Sequence, residues 1–467
     1  MASDPVVAFG LLSQKPNKLG VLQARPNTQP VLAASAAEEE SKRGGASLSS
    51  STINLAKNIV GSGVLALAAG VAAFSGSPVA LVPSMALLLL LGGVSGYTFS
   101  LIARVGAAVG ASTYRDTWAM VFPKNTAVIP AATVTFMTLA AGLSYAIIIG
   151  DASSSIAMLA GAPTRLQSPN VWIVFFSVFV LLPLCLLRDL SSLAFGSVLG
   201  TAGTLYTALF MALRCLDGSY AAGGKFHASI ADSLQPLFIT GKPVLNMSIF
   251  VLVSMLATAF LAHYNAPKMY EELAPPKDGG SKLRNFNLVC AGGFGAAALL
   301  CGAIMSAGYL TFGAASQGLI LNNYATSDSL AFLARLGIGL SIIFSYPLNF
   351  AGLRDGLLSL FGWSKFAERG SVHVASTVLL IALLNGSALF LKDLGLIAAL
   401  GGAILGSALV YIYPALMFIA NARKQLLLKR AAGYKSSSLQ NEMYANYGLV
   451  GLGSFLAVVG AVMSLKG

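Results

Sequence analysis

Two short runs in this sequence combine helix-breaking residues with groups able to hold a small polar ligand. The first is Asn54-Leu55-Ala56-Lys57-Asn58-Ile59-Val60-Gly61-Ser62-Gly63-Val64-Leu65. Gly61 and Gly63 carry no side chain, so the backbone can open there and a ligand can approach it closely. Amides freed at the start of the following half-helix would suit a carboxylate. The same small residues would equally suit a tight helix contact. The second run is Phe260-Leu261-Ala262-His263-Tyr264-Asn265-Ala266-Pro267-Lys268-Met269-Tyr270-Glu271-Glu272-Leu273. Pro267 removes a helix donor, and His263, Tyr264 and Asn265 place polar groups just before it. That run also fits an ordinary helix end, with Lys268 and Glu271 at an interface.

The elements that carry these runs follow from composition. Of 467 residues, 56% are hydrophobic and 10% charged, against roughly a quarter charged in a soluble domain. The 49 glycines suit close helix packing in a bilayer. Apolar stretches near the ~20 residues that span a bilayer recur along the chain. They fall near 51–73, 79–104, 127–157, 170–188, 193–214, 245–266, 285–313, 329–358, 371–391, 393–421 and 444–465. The expected fold is therefore an all-α polytopic membrane protein of eleven spans. Residues 1–48 are polar, carry Glu38, Glu39 and Glu40, and lack a signal-peptide core. They read as a disordered cytoplasmic tail before an eleven-helix transmembrane domain at 49–466. With the N-terminus in the cytoplasm, sixteen Lys and Arg residues fall in cytoplasmic connectors. Only Arg165, Arg214, Lys225, Lys242, Lys392 and Lys466 fall opposite, which is the positive-inside asymmetry.

Several classes fall away. The net charge of +12 is spread over connectors, which argues against nucleic acid. Cys185, Cys215, Cys290 and Cys301 show no metal-type spacing or disulfide framework. The three histidines lie far apart in sequence, which argues against a membrane enzyme, and no channel filter motif is present. No cofactor or metal is expected. Asp189 reads as an interfacial anchor, while Asp151 and Arg335 sit in apolar runs without an evident partner. The two breaks occupy spans one and six, matched positions if the first ten spans form two inverted five-helix repeats. Paired interrupted helices of this kind point to a transporter site.

Further pieces join these runs. They are Leu182-Pro183-Leu184 through Leu187-Arg188-Asp189-Leu190, Gly308-Tyr309-Leu310-Thr311-Phe312-Gly313 and Tyr346-Pro347-Leu348-Asn349-Phe350. Over roughly residues 50–465 the chain resembles the amino acid/auxin permease family, close to its sodium-coupled neutral and its vacuolar amino acid transporters. The resemblance implies a LeuT-type fold, 5+5 inverted repeats plus an eleventh helix. It also implies that a small amino acid binds between spans one, three, six and eight. The sodium-coupled branch carries an Asn that helps hold sodium four residues before the first Gly of Gly-Ser-Gly. Here that residue is Lys57, similar to the proton-coupled and vacuolar branches. An ammonium would repel a sodium ion a few ångströms away by several kcal/mol at intermediate dielectric.

These readings combine into one mechanism. Amides around Gly61, Ser62 and Gly63 take the substrate carboxylate, and carbonyls near Ala262 and His263 take its ammonium. The side chain enters the space above Asn58, Tyr145 and His263. Ser341 and Ser345 add polar contacts, and Ser345 matches a sodium ligand of the relatives. Lys57 either cycles a proton between access states or stands as a fixed cation bridging spans one and eight. The expected activity is transport of small neutral amino acids by alternating access, driven by protons or independent of sodium. An amino acid sensor signalling to a cytoplasmic partner is the alternative. The expected setting is a vacuolar, lysosomal or plasma membrane; substrate and bilayer are the only partners implied, and oligomeric state stays open.

Overall fold

A computed structural model describes residues 45–187, 194–239, 244–276, 279–363, 366, 369–434 and 436–466, including all their side chains except those of Ser62 and residues 194–199. The tail at 1–44 and Asp189 lie outside these residues. The unit described is Ala46–Gly467.

The first span is α1 (Leu48–Ile59) and α2 (Leu67–Ala72), joined through a 3-10 turn at Ser62–Ala66. The second is α3 (Leu81–Val109). After α4 (Tyr114–Val121) in the connector, α5 (Val128–Leu159) is the third. The fourth is α6 (Pro169–Phe176) and α7 (Leu182–Leu186) with a π-helical turn between them, and the fifth is α8 (Ala194–Leu216). The sixth is α9 (Ile249–Ala259) and α10 (Ala266–Glu272) around a 3-10 turn at His263–Asn265. Then come α11 (Lys282–Phe312), α12 (Ser329–Leu360) and α13 (Gly370–Ala388). The tenth span is α14 (Leu394–Gly401), two π-helical turns and α15 (Tyr413–Ala431), and the eleventh is α16 (Ser437–Lys466).

Among the described residues nine helices are long and apolar enough to cross a membrane, and the first span, bent by 49°, makes a tenth. The 23-residue α8, the fifth span in chain order, is not among these ten. Short polar side chains start the helices: Ser47 accepts from the Ser50 amide at 3.2 Å, and Asp328 from the Leu330 amide at 3.0 Å. The folded unit begins at Ala46, where the chain pairs with the end of the sixth span. The Ala46 amide donates to the Glu272 carbonyl at 3.2 Å, and the Ala274 amide donates to Ala46 at 3.0 Å.

One boundary departs from its apolar run. The last run starts at 444, yet α16 starts at Ser437. Its polar first turns are satisfied inside the bundle. Arg104 grips Glu442 at 2.6 and 3.0 Å, Tyr97 donates to Glu442 at 3.2 Å, and Asn446 donates to Tyr97 at 2.8 Å. Paired charges of this kind are tolerated at membrane depth.

The other end of the bundle has its own clamp. Asp328, fully buried, accepts two bonds from Arg214 at 2.8 Å each and one from Tyr220 at 3.0 Å. Arg335 finds the partners that the sequence leaves unnamed. They are the carbonyls of Leu321, Tyr324 and Ala325 at 2.7, 2.6 and 3.4 Å.

Candidate functional site

Three helices present polar stripes toward one space. α1 carries Asn54, Lys57 and Asn58 at three- and four-residue spacing, so they share a face, and Gly61 follows just past its end. α12 carries Ser341, Ser345 and Asn349 at successive four-residue steps. α5 adds Thr138 and Tyr145, two turns apart. All of them line a cavity of about 760 Å³. Thr52 and Ile53 also line it, so it opens on the side where the chain enters the first span.

Deeper in the bundle lies a second cavity of about 110 Å³, walled by Gly61, Gly63, Ser144, Thr258, Ala259 and Ala398 among others. Asn58, Gly61, Thr138, Tyr145, Tyr264 and Asn349 line both cavities and form their junction. A third space of about 570 Å³ lies at the opposite ends of the spans. It is lined by Asp151, Gln317, Asn322 and Lys392, and it shares only Leu394 with the small cavity. Asp151 accepts a bond there from Asn322 at 2.8 Å. Close backbone contact helps close this end: a Cβ on Gly318 would sit 2.6 Å from the Gly395 nitrogen. The bundle is thus open toward one side at the junction and shut toward the other.

The first break supplies backbone donors. Val60 donates to Ala56 at 2.9 Å as the last bond of α1, and Gly61 turns back to donate to Ile59 at 2.8 Å. The Gly61 amide is therefore committed, contrary to the sequence expectation. The 3-10 turn then starts at Ser62, and the first amides of a helical turn have no preceding carbonyl to bond. Those amides belong to Ser62 and Gly63, and Gly63 lines the small cavity.

In the sixth span the outcome differs from expectation. The Ala262 carbonyl accepts from Asn265 at 2.9 Å and the His263 carbonyl from Ala266, closing the 3-10 turn. Ala262 and His263 are both fully buried, and neither lines the small or the large cavity. The turn swings the imidazole away from α1 and against α3, where Nε2 lies 3.0 Å from Thr98 Oγ1 and 3.2 Å from the Ser95 carbonyl. Phe99 and Phe294 meet the ring edge-on, with centroids 5.8 and 6.2 Å away. Around this break, Thr258, Ala259, Leu261 and Tyr264 face the small cavity, and Tyr264 and Asn265 face the large one. Past the end of α9 the Leu256 carbonyl still accepts from Phe260 at 2.9 Å and the Thr258 carbonyl from Leu261 at 3.3 Å, so among the described residues the carbonyls left without a downstream donor are those of Ala257 and Ala259, and Ala259 borders the small cavity.

Lys57 enters the large cavity with Ser341 and Ser345, but no ion pair joins it to a carboxylate among the described residues. Among the described residues no hydrogen bond is seen from Lys57 to α12. Three contributors were missed from the sequence: Thr138, Asn349 and the start of the tenth span. Asn349 donates through Nδ2 to the Thr138 carbonyl at 2.8 Å and so ties α12 to α5. Gly142 makes room for that amide, since a Cβ there would sit 3.4 Å from Asn349 Nδ2 and 2.7 Å from Leu384. The four-residue rhythm Ser341-Ser345-Asn349 was the signal that could have exposed it.

The model of the family described as transmembrane amino acid transporter protein matches residues 44–435. The chain belongs to that family. A Danio rerio relative, named as a candidate sodium-coupled neutral amino acid transporter 11, is 27% identical over 385 residues, covering 81% of this chain and 80% of its own. The Homo sapiens protein of the same name is 24% identical over 331 residues, covering 70% and 76%. Among solved structures, Mhp1 in its inward-facing conformation matches with a TM-score of 0.52 at 14% identity, covering 91% of each chain. MhsT in complex with L-phenylalanine matches at 0.50 and 14% identity, covering 89% and 97%. At that identity the likeness shows the fold, and the fold is of the LeuT type, as the matched breaks in spans one and six imply.

Proposed function

We propose that this family member carries small neutral amino acids across its membrane by alternating access, without sodium. The observation that carries this reading is the junction of the two cavities at the first break. There, the amides of Ser62 and Gly63, with no carbonyl partner among the described residues, stand beside Thr258 and Ala259 at the end of α9. A zwitterion needs donors for its carboxylate and acceptors for its ammonium, because unpaired charge at membrane depth is costly. The start of the 3-10 turn supplies the donors, and the Ala259 carbonyl at the end of α9 supplies an acceptor. The cavity of about 110 Å³ favours a small side chain. With the N-terminus in the cytoplasm, as the basic connectors favour, the large cavity is the cytoplasmic entrance. This conformation is then the inward-open one.

Sodium is the coupling ion in the names of the relatives. Here Lys57 stands in the cavity wall with Ser341 and Ser345. A cation 4 Å from a sodium ion would oppose it by about 4 kcal/mol at an effective dielectric of 20. We therefore read Lys57 as the element that replaces the ion, with a proton as the coupling species. The acidic side would then be the far one, as in a vacuole or lysosome. The test is uptake of labelled alanine by the purified chain in liposomes. A pH gradient should drive accumulation in potassium and in sodium buffer alike. Accumulation that requires sodium would refute the coupling, and binding without counterflow would favour a sensor.

A further inference from the structure

Beside Asn58, Tyr145 and Tyr264, three short hydroxyls on the wall of the small cavity share a polarity that the transport reading does not use. Thr138 Oγ1 donates to the Thr135 carbonyl at 2.7 Å, and Ser144 Oγ donates to Ala140 at 3.0 Å. Thr258 Oγ1 donates across to Ala398 at 2.6 Å. Each hydroxyl has one proton, so these three groups have only lone pairs left to offer a ligand.

Asn349 continues the pattern, and its orientation is forced. The Thr138 carbonyl can only accept, so the Asn349 group 2.8 Å from it must be the NH₂ end. The carboxamide oxygen then lies on the other branch of the planar amide. It meets no protein donor among the described residues, and the residue lines both cavities. Span eight thus holds an acceptor at the mouth of the small cavity, fixed by a bond to span three.

We infer that Asn349 is a specificity-determining residue that offers Oδ1 to the side chain of the bound amino acid and favours substrates bearing a hydroxyl or amide donor. The inference rests on the transport reading, since it needs a substrate seated at the junction. A small apolar side chain in that place would displace water from Oδ1 and from the lone pairs of Thr138 and Ser144 and offer no donor in return. A site whose polar groups go unpaired discriminates against the analogue that lacks the donor. The competing role for Asn349 is to hold the substrate ammonium, which every amino acid carries.

The test compares isosteres: serine against 2-aminobutyrate, and threonine against valine, in proteoliposomes. The intact chain should favour the hydroxyl member by about tenfold in kcat/KM, the size of one net hydrogen bond. Asn349→Leu should bring both ratios to about one while 2-aminobutyrate uptake persists. Ratios near one in the intact chain would overturn the inference and leave the transport reading standing. An equal fall for both members of each pair in Asn349→Leu would assign Asn349 to the ammonium and also overturn it. Absence of any amino acid uptake by the intact chain would remove the transport reading itself. The ratios of the intact chain need no variant, so a poorly folding Asn349→Leu does not remove the test.

Discussion

The first and sixth spans both lose helical pairing part-way along, yet the two breaks face different surroundings. At the first, Asn58, Gly61 and Gly63 border the cavities, and the next turn begins with unpaired amides. At the sixth, Ala262 and His263 are fully buried, the 3-10 turn closes its own bonds, and the imidazole is held by α3. The difference lies in which residues make each break. Glycines open the backbone and leave it bare. A proline after three polar residues opens it too, but gives it side chains that find partners. A matched pair of breaks is therefore not a matched pair of surfaces: the first puts bare backbone on the cavities, while the His263 side of the sixth packs against α3.

Filling the first break should break the comparison most severely. Gly63 has no positive φ, so its role is space. A Cβ there would meet Thr258 Cγ2 at 3.5 Å and Ala259 Cα at 3.7 Å, ordinary contacts. Gly63→Ala should therefore fold and transport. Gly63→Val adds branches that must enter the cavity or press on Ala259, and uptake should fall by about 100-fold, the scale of a 1 Å misplacement. Gly61→Ala, with nothing within 4 Å of its Cβ, should change uptake by less than about threefold, within the range of neutral surface changes. Initial uptake rates, normalised to monodisperse protein, read all three. If Gly63→Val transports normally, the ligand does not sit at this break.

Lys57 tests what the open break is coupled to. Among the described residues its ammonium has no carboxylate partner, so its removal should not unfold the bundle. Lys57→Ala should lose the dependence of uptake on the pH gradient. Downhill exchange should persist within about tenfold, the loss of one charge-assisted contact. Exchange lost altogether would make the lysine part of the substrate site, and an unchanged pH response would place the coupling elsewhere.

Much of this architecture was legible beforehand, because the bilayer imposes a length that apolar runs must meet. The paired breaks were legible because Gly and Pro act on the backbone itself. What sequence could not show was direction. A four-residue rhythm predicts which side chains share a face only while the helix is regular. His263 lies inside a 3-10 turn, where that rhythm is interrupted, so its identity pointed to a ligand site while its geometry points to α3. Asn349 lies inside regular α12, in register with Ser341 and Ser345, and a strict reading of that helix would have placed it in the cavity. The early start of α16 was hidden for another reason. Glu442 looks like a boundary until Arg104, 338 residues away in sequence, is seen beside it.

The smallest expected effect sharpens the comparison from the anchored side. His263 is fully buried and edged by two aromatic rings. Its contacts to Thr98 and to the Ser95 carbonyl both run through Nε2. A glutamine at this position can place its own NH₂ close to the point that Nε2 occupies. His263→Gln should therefore cost no more than about 1 kcal/mol in stability, the size of an imperfectly kept hydrogen bond. The pH profile of uptake should be unchanged. His263→Leu removes the partner of Ser95 and Thr98 and should cost about 1–3 kcal/mol for the unpaired groups, read as a lower melting temperature in detergent. Were His263→Gln instead to abolish the pH response and spare the melting temperature, the sixth break would be the proton site. The division of labour between the two breaks would then be reversed.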